Sequence, residues 1–168
     1  MADLAKAARP SIDKLLQSDE AQLYEELGMR VKAYQNDLSV GASFSPAVSY
    51  QAELMGPLDD LRLFGKEFFQ RVNRQAYELV CGAGLKDAED RKKLAEAFKI
   101  GPGGAAALLA GLLVGHLGLA AGVAAVVAAL IVRLFFRPAQ EAMCQVWSQK
   151  LVSPKPSKTE SKKPKKKS

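Results

Sequence analysis

The fold turns on residues 103–132, GGAAALLAGLLVGHLGLAAGVAAVVAALIV, in which no Asp, Glu, Lys or Arg occurs. Ten alanines and six glycines make up more than half of these thirty residues. The run exceeds the ~20 residues that a helix needs to cross a ~30 Å hydrocarbon core. Because small side chains insert into lipid less readily than Leu, Ile or Phe, the run predicts only moderate membrane affinity.

A stripe of small residues follows helical spacing through this run. Its members recur at steps of three and four: Gly111, Gly115, Gly118, Gly122, Ala125 and Ala129. In lipid, small side chains let helices approach closely and gain van der Waals contact. The stripe predicts packing against another helix and hence a homo-oligomer. In a sequence so rich in Ala and Gly, chance produces the same spacing about equally well.

The two flanks of the run are both basic, which conflicts with a single crossing, because basic residues favour the cytoplasmic side. Lysines precede the run, and Arg133 and Arg137 follow it. A hairpin turning at GHLG (115–118) would keep both flanks cytoplasmic, but its first arm, residues 103–114, is too short for a full span. Three options stay open: a shallow hairpin, a single span, or a segment held in soluble form and inserted conditionally.

The third option resembles, in architecture alone, the pore-forming colicins, which shield an Ala-, Gly- and Val-rich hydrophobic hairpin inside amphipathic helices before insertion. The similarity covers residues 103–136 as composition and includes no motif, so no residue role is carried over. It implies a soluble form in which amphipathic helices enclose the run.

His116 is the only histidine of the chain, and it lies inside the uncharged run. Histidine ordinarily titrates near pH ~6.5, so its protonation could alter insertion or close a pore. The alternative is a turn residue, or a neutral imidazole bonded to a backbone carbonyl.

Residues 1–99 are predicted to form a small soluble domain, a bundle of four amphipathic helices, and no alternating strand pattern competes. The helices are expected at Asp19–Leu38 with Ser18 as N-cap, at Pro57–Cys81, at Asp87–Phe98 and, more weakly, around Pro10, which marks a break or a first turn. The predicted core comprises Leu23, Leu27, Phe64, Phe68 and Val72.

The chain after the run divides into a helix and a tail. Residues 100–137 form the hydrophobic segment, and residues 138–152 are predicted to form a short amphipathic juxtamembrane helix. Trp147, the only tryptophan, is expected at the headgroup level together with Arg133 and Arg137, or else packed on the N-terminal bundle.

The final stretch, residues 153–168, is Lys-rich with three prolines and is predicted to be disordered. Its lysines would bind anionic lipid or another polyanion, and nucleic acid only non-specifically. The residues assigned to this role are Lys162, Lys163, Lys165, Lys166 and Lys167. Residues 1–100 carry 14 basic and 16 acidic side chains whereas residues 101–168 carry 10 and two, so the basic character belongs to the C-terminal part.

Catalytic and cofactor signatures are absent from the sequence. It contains no Cys and His cluster with metal spacing, no phosphate-binding loop and no nucleophile elbow. The two cysteines are too few for a disulfide framework and, without a recognisable signal peptide, favour a reducing origin for the N-terminal part. We therefore expect no enzyme, no cofactor and no metal.

Together these patterns predict an all-α, non-enzymatic protein of the inner or plasma membrane, with its soluble domain in the cytoplasm. The N-terminal domain would bind a protein partner or signal, and the apolar segment would oligomerise in or permeabilise the membrane, as in a toxin-like effector. Two alternatives stay open: a membrane-tethered adaptor without pore activity, and a soluble helical interaction protein that buries the apolar segment as a central helix.

Overall fold

The computed structural model describes residues 2–82 and 88–152, and within these ranges the fold is all-helical, as predicted. Eight α-helices and one 3-10 turn follow in chain order: α1 Ala2–Leu15, α2 Glu20–Asn36, the 3-10 turn Leu38–Ala42, α3 Ala52–Met55, α4 Leu58–Cys81, α5 Ala88–Ile100, α6 Pro102–Leu117, α7 Ala121–Phe135 and α8 Gln140–Val152. Asp87 and the tail, residues 153–168, lie outside the described residues.

The beginnings of the first helices differ in detail from the prediction. Asp19, not Ser18, caps α2: its carboxylate accepts from the Gln22 N–H at 2.8 Å, while its own N–H donates to the Gln22 side chain at 2.9 Å. This reciprocal pair satisfies two backbone donors that the first helical turn leaves free, which a serine one residue earlier cannot do. Pro10 was expected to mark a break or a first turn, but it lies in the interior of a continuous α1.

Helices α2 and α4 cross at two glycines. A Cβ built on Gly65 would lie 2.0 Å from the Tyr24 carbonyl oxygen, and one on Gly28 would lie 2.5 Å from the Leu61 oxygen. Only glycine allows the two backbones to approach this closely. Because Gly65 faces α2, the buried face of α4 is turned so that Phe69 is enclosed in the core.

The predicted core is confirmed for Leu23, Leu27 and Val72, which are all buried. Phe64 and Phe68 are only partly buried and pack at the edge of the core. Phe69, with 3% of its surface exposed, takes the inner position and contacts the Tyr24 ring edge-on at 6.0 Å. The aromatic side chains of α4 therefore contribute to the core as expected, but with a different member innermost.

The uncharged run forms two helices, α6 and α7, which pack against each other at the centre of the molecule. Helix α1 packs on both of them, α5 packs on α6, and α2 packs on α7 and α4. Helix α8 lies against α4 and α7. We call α1, α2, α5 and α8 the cover, because these four helices pack around the pair.

Candidate functional site

The central pair α6 and α7, which we call the hairpin, is enclosed almost completely. Residues 105–113 and 122–132 are buried without exception. A helix that is hydrophobic on all sides must be surrounded by other apolar surface, either in a protein core or in lipid. In this structure the cover provides that surface.

The turn of the hairpin lies slightly later in the chain than the GHLG stretch suggested. Gly118 adopts a left-handed conformation, with φ of 70°, and its N–H donates to the Leu113 carbonyl. Glycine reaches this backbone region without a steric penalty and commonly ends a helix in this way. The chain then reverses through Leu119 and Ala120 into α7, so the first arm has 16 residues, not the twelve expected.

The predicted small-residue stripe is divided by this turn between two helices. Gly111 and Gly115 lie on α6, Gly118 is in the turn, and Gly122, Ala125 and Ala129 lie on α7. The stripe is therefore not one continuous helix face here. Gly111, Gly122, Ala125 and Ala129 are buried, and Gly115 and Gly118 are exposed at the tip. Their role in helix packing within a membrane stays a prediction.

Arg30 is a buried arginine that joins the cover to the hairpin. It is 7% exposed, and its Nη1 donates to the Gly122 carbonyl at 2.8 Å and to the Phe44 carbonyl at 3.1 Å. Its Nε donates to Glu26 at 2.7 Å, and Ser11 of α1 donates to the same Phe44 carbonyl at 2.7 Å. One guanidinium group therefore connects α2 to the first turn of α7 and to the loop around Phe44. Arg30 and Gly122 are 92 residues apart in the sequence.

The loop at residues 43–46, which we call the strap, lies directly over the start of α7. A Cβ built on Gly122 would lie 2.9 Å from the Pro46 ring and 3.0 Å from the Ser43 carbonyl oxygen. Gly122 therefore lets the strap pack tightly on the hairpin. Sequence reasoning missed Arg30, although it follows Leu27 by three residues and so falls near the buried face of α2.

Trp147 closes the other end of α7. It is fully buried, stacks on Phe135 with ring centres 5.4 Å apart and meets the Tyr77 ring edge-on at 5.4 Å. Its indole N–H donates to the buried Asn73 side chain at 2.8 Å. In this structure Trp147 packs on α4, the alternative that the sequence left open. An interfacial position stays a prediction for a membrane-bound form.

Arg133 and Arg137, assigned with Trp147 to the membrane interface, are both exposed near the end of α7. Arg137 donates to the neighbouring Phe136 carbonyl at 2.7 Å. Arg133 lines an open groove of about 450 Å³, together with Leu16, Pro102, Val132 and Phe136. The role of Arg133 and Arg137 at a membrane interface stays a prediction. The assigned tail lysines lie outside the described residues.

A disulfide joins Cys81, at the end of α4, to Cys144 of α8. The sequence analysis did not pair these cysteines, although two cysteines allow only one pairing. Disulfides persist mainly in oxidising compartments, whereas the sequence analysis expected a reducing one. The cytoplasmic location of the N-terminal part stays a prediction.

His116 lies on the last turn of α6, next to the tip of the hairpin. Its Nε2 is 3.5 Å from Asp90 of α5. A protonated imidazole would be attracted by this carboxylate, which would hold the tip against α5. The predicted role of His116 as a pH switch is not tested by this contact and stays a prediction.

A groove of about 570 Å³ lies between the beginnings of α2 and α4. It is lined by charged side chains of both signs around Tyr24, and Arg62 donates there to Glu25 at 3.0 Å through its Nε. Burial raises the pKa of the Tyr24 phenol above its ordinary value, and the charge and hydrogen bond of Glu20 raise it further.

Within residues 2–82 and 88–152, no three His, Cys, Asp or Glu side chains are grouped as a metal site would require. In the same ranges, no single helix is both long enough and apolar enough to cross a membrane. Helices α7 and α8 together meet these two criteria, but the pair is bent by 94°.

No protein-family model matches the chain, and no curated protein or solved structure matches it either.

Proposed function

We propose that this protein is a non-enzymatic, membrane-active effector that stores a hydrophobic hairpin inside a helical cover and inserts it into a membrane, where it permeabilises the bilayer. The observation that carries the proposal is the central hairpin itself. Its two helices have no fixed charge from Gly103 to Val132, and residues 105–113 and 122–132 are buried throughout. In water such a pair needs a cover, whereas in lipid it needs none.

The thermodynamic argument concerns an exchange of one apolar environment for another. Each fully buried Val, Leu or Ile contributes ~1.5–3 kcal/mol relative to exposure in water. Exposing the hairpin to water is therefore prohibitive, but transferring it to hydrocarbon retains that contribution. The cost that remains is the separation of the cover from the hairpin, which is where a signal could act.

The length of the two arms favours permeabilisation over simple anchoring. Helices of 16 and 15 residues extend only ~24 and ~22 Å at ~1.5 Å per residue, less than the ~30 Å hydrocarbon core. A hydrophobic stretch shorter than the bilayer core is accommodated by thinning of the bilayer, by snorkelling of flanking residues or by oligomerisation. Oligomers packed through Gly111, Ala125 and Ala129 would spread this deformation and open a leak.

Anionic lipid is the proposed target at the inner or plasma membrane. Arg133 and Arg137 are exposed at the end of α7, and the lysines after residue 153 continue the positive charge. Each basic residue near an anionic surface contributes ~1 kcal/mol at low salt. The N-terminal domain, residues 1–99, would receive the triggering partner, for which the groove between α2 and α4 offers a surface of mixed charge.

The test uses the purified full chain and dye-loaded vesicles of phosphatidylcholine, with and without phosphatidylglycerol. We expect dye release from the anionic vesicles, reduced by salt, together with protein that resists alkaline carbonate extraction. Extraction-resistant protein without dye release would favour the membrane-tethered adaptor. Protein that stays in the supernatant without release would identify the hairpin as the core of a soluble interaction protein, and the proposal would be wrong.

A further inference from the structure

The disulfide joins the two flanks of the hairpin, one on each side of it in sequence. Cys81 precedes α5 and the hairpin, and Cys144 lies nine residues after the end of α7. The two cysteines are 63 positions apart in the sequence. Residues 82–143 are therefore a closed covalent loop that contains the whole uncharged run. The Cα atoms of the two cysteines lie 5.8 Å apart.

This closure restricts how the loop can enter a bilayer. A single crossing places the two flanks on opposite faces, separated by a hydrocarbon core of ~30 Å, whereas the disulfide keeps them within a few ångströms of each other. One flank would then have to pass back through the core. On the N-terminal side that return would carry α5, which includes Lys92, Lys93 and Lys99, through hydrocarbon. Charged side chains at the bilayer centre are costly.

The C-terminal side offers no better return path. Phe136–Met143 has eight residues, which reach only ~27 Å when fully extended, and it includes Arg137 and Glu141. Extended backbone in hydrocarbon also leaves its polar groups without partners. Neither flank can pass back through the membrane, so the disulfide-bonded chain cannot adopt a topology with a single crossing.

We propose that the Cys81–Cys144 disulfide is a topology tether, which allows the hairpin to enter a membrane only with both flanks on the face of entry. The inference rests on the proposed membrane insertion and specifies its topology. It agrees with an independent feature of the chain, the basic residues on both flanks. Without the disulfide, α8 can separate from α4, and the chain can then adopt a topology with a single membrane crossing.

The experiment compares three proteins: the oxidised full chain, the Cys81→Ser, Cys144→Ser double variant, and the wild type reduced by a phosphine. The phosphine supplies two electrons and is itself oxidised as the disulfide becomes two thiols. Each protein is added to phosphatidylcholine and phosphatidylglycerol vesicles, recovered by flotation and exposed to external trypsin. Trypsin does not cut the Arg137–Pro138 bond, so mass spectrometry follows cleavage at Lys99 on one flank and at Lys150 on the other. Circular dichroism before addition confirms that the variant is helical.

For the oxidised chain we expect cleavage on both flanks, leaving a protected fragment of residues 100–150 that is still joined through Cys144 to the peptide containing Cys81. Reduction and the double variant should both produce a second population, in which one flank stays intact until detergent opens the vesicles. One protected flank in the oxidised chain would overturn the tether, as would identical fragments from all three proteins. If no protein inserts in either redox state, the proposed function itself fails, and the tether fails with it.

Discussion

Removing the Arg30 guanidinium should loosen the cover from the hairpin. In the variant Arg30→Met, the apolar stem is retained while the hydrogen bonds to the Gly122 and Phe44 carbonyls and to Glu26 are lost. Hydrogen bonds that involve a charged group contribute ~1.5–3 kcal/mol each. Simple addition overstates the loss, because Ser11 still donates to the Phe44 carbonyl and Glu26, 28% exposed, can be hydrated.

We therefore expect the free energy of unfolding to fall by ~3 kcal/mol, which corresponds to about a hundredfold larger open population. Urea unfolding of wild type and variant measures the first quantity. Hydrogen exchange at the N–H groups of the first turns of α7 measures the second, because the strap and Arg30 cover that end. Dye release from anionic vesicles should accelerate in parallel.

The matched control is Arg74→Met, which removes an exposed arginine on α4 and should change stability by less than ~0.5 kcal/mol. Arg30→Lys should fall between wild type and Arg30→Met, because a single ammonium cannot reproduce the planar fork of donors. A loss below ~1 kcal/mol for Arg30→Met, or equal losses for both methionine variants, would refute the role of Arg30 in holding the cover closed.

Three further outcomes are expected. Gly122→Ala should push the strap away from α7 and lower the free energy of unfolding in urea by ~1–3 kcal/mol. Gly115→Ala, at an exposed helical site, should leave that free energy unchanged or raise it slightly. A larger loss for Gly115→Ala than for Gly122→Ala would contradict the packing of the strap. Trp147→Phe loses the buried indole hydrogen bond and should cost ~1–3 kcal/mol by thermal unfolding, and an unchanged midpoint would show that the bond is dispensable. Reducing the Cys81–Cys144 bond should lower stability by up to ~4 kcal/mol for a separation of 63 residues, and equal urea midpoints with and without reductant would contradict that estimate.

Sequence patterns predicted the elements of this fold better than their arrangement. Helical spacing located α2 and α4 within a few residues, because amphipathic stripes reflect local geometry. The uncharged run was correctly identified as the unusual part of the chain. The run divides into two helices at Gly118, which adopts a left-handed conformation. The run contains six glycines, and composition alone does not distinguish Gly118 from the other five.

Contacts between distant residues could not be predicted in the same way. Arg30 and Gly122 are 92 positions apart, and nothing local to either residue indicates that a guanidinium meets a carbonyl there. The inner position of Phe69 depends on the close approach of α2 at Gly65, which one helix alone does not reveal. The burial of Trp147 likewise follows from α8 folding back on α4, where Asn73 supplies its partner.

The most direct test of the account places one charge at the tip of the hairpin. Gly115 is exposed on α6, so Gly115→Lys should leave the folded protein as stable as Gly115→Ala. Insertion, however, must carry the new ammonium into hydrocarbon at ~2.5–3.5 kcal/mol, about a hundredfold in rate. The account predicts that Gly115→Lys releases dye from anionic vesicles about a hundredfold more slowly than Gly115→Ala. Equal rates of release would mean that the tip does not enter the bilayer, and the central claim would be wrong.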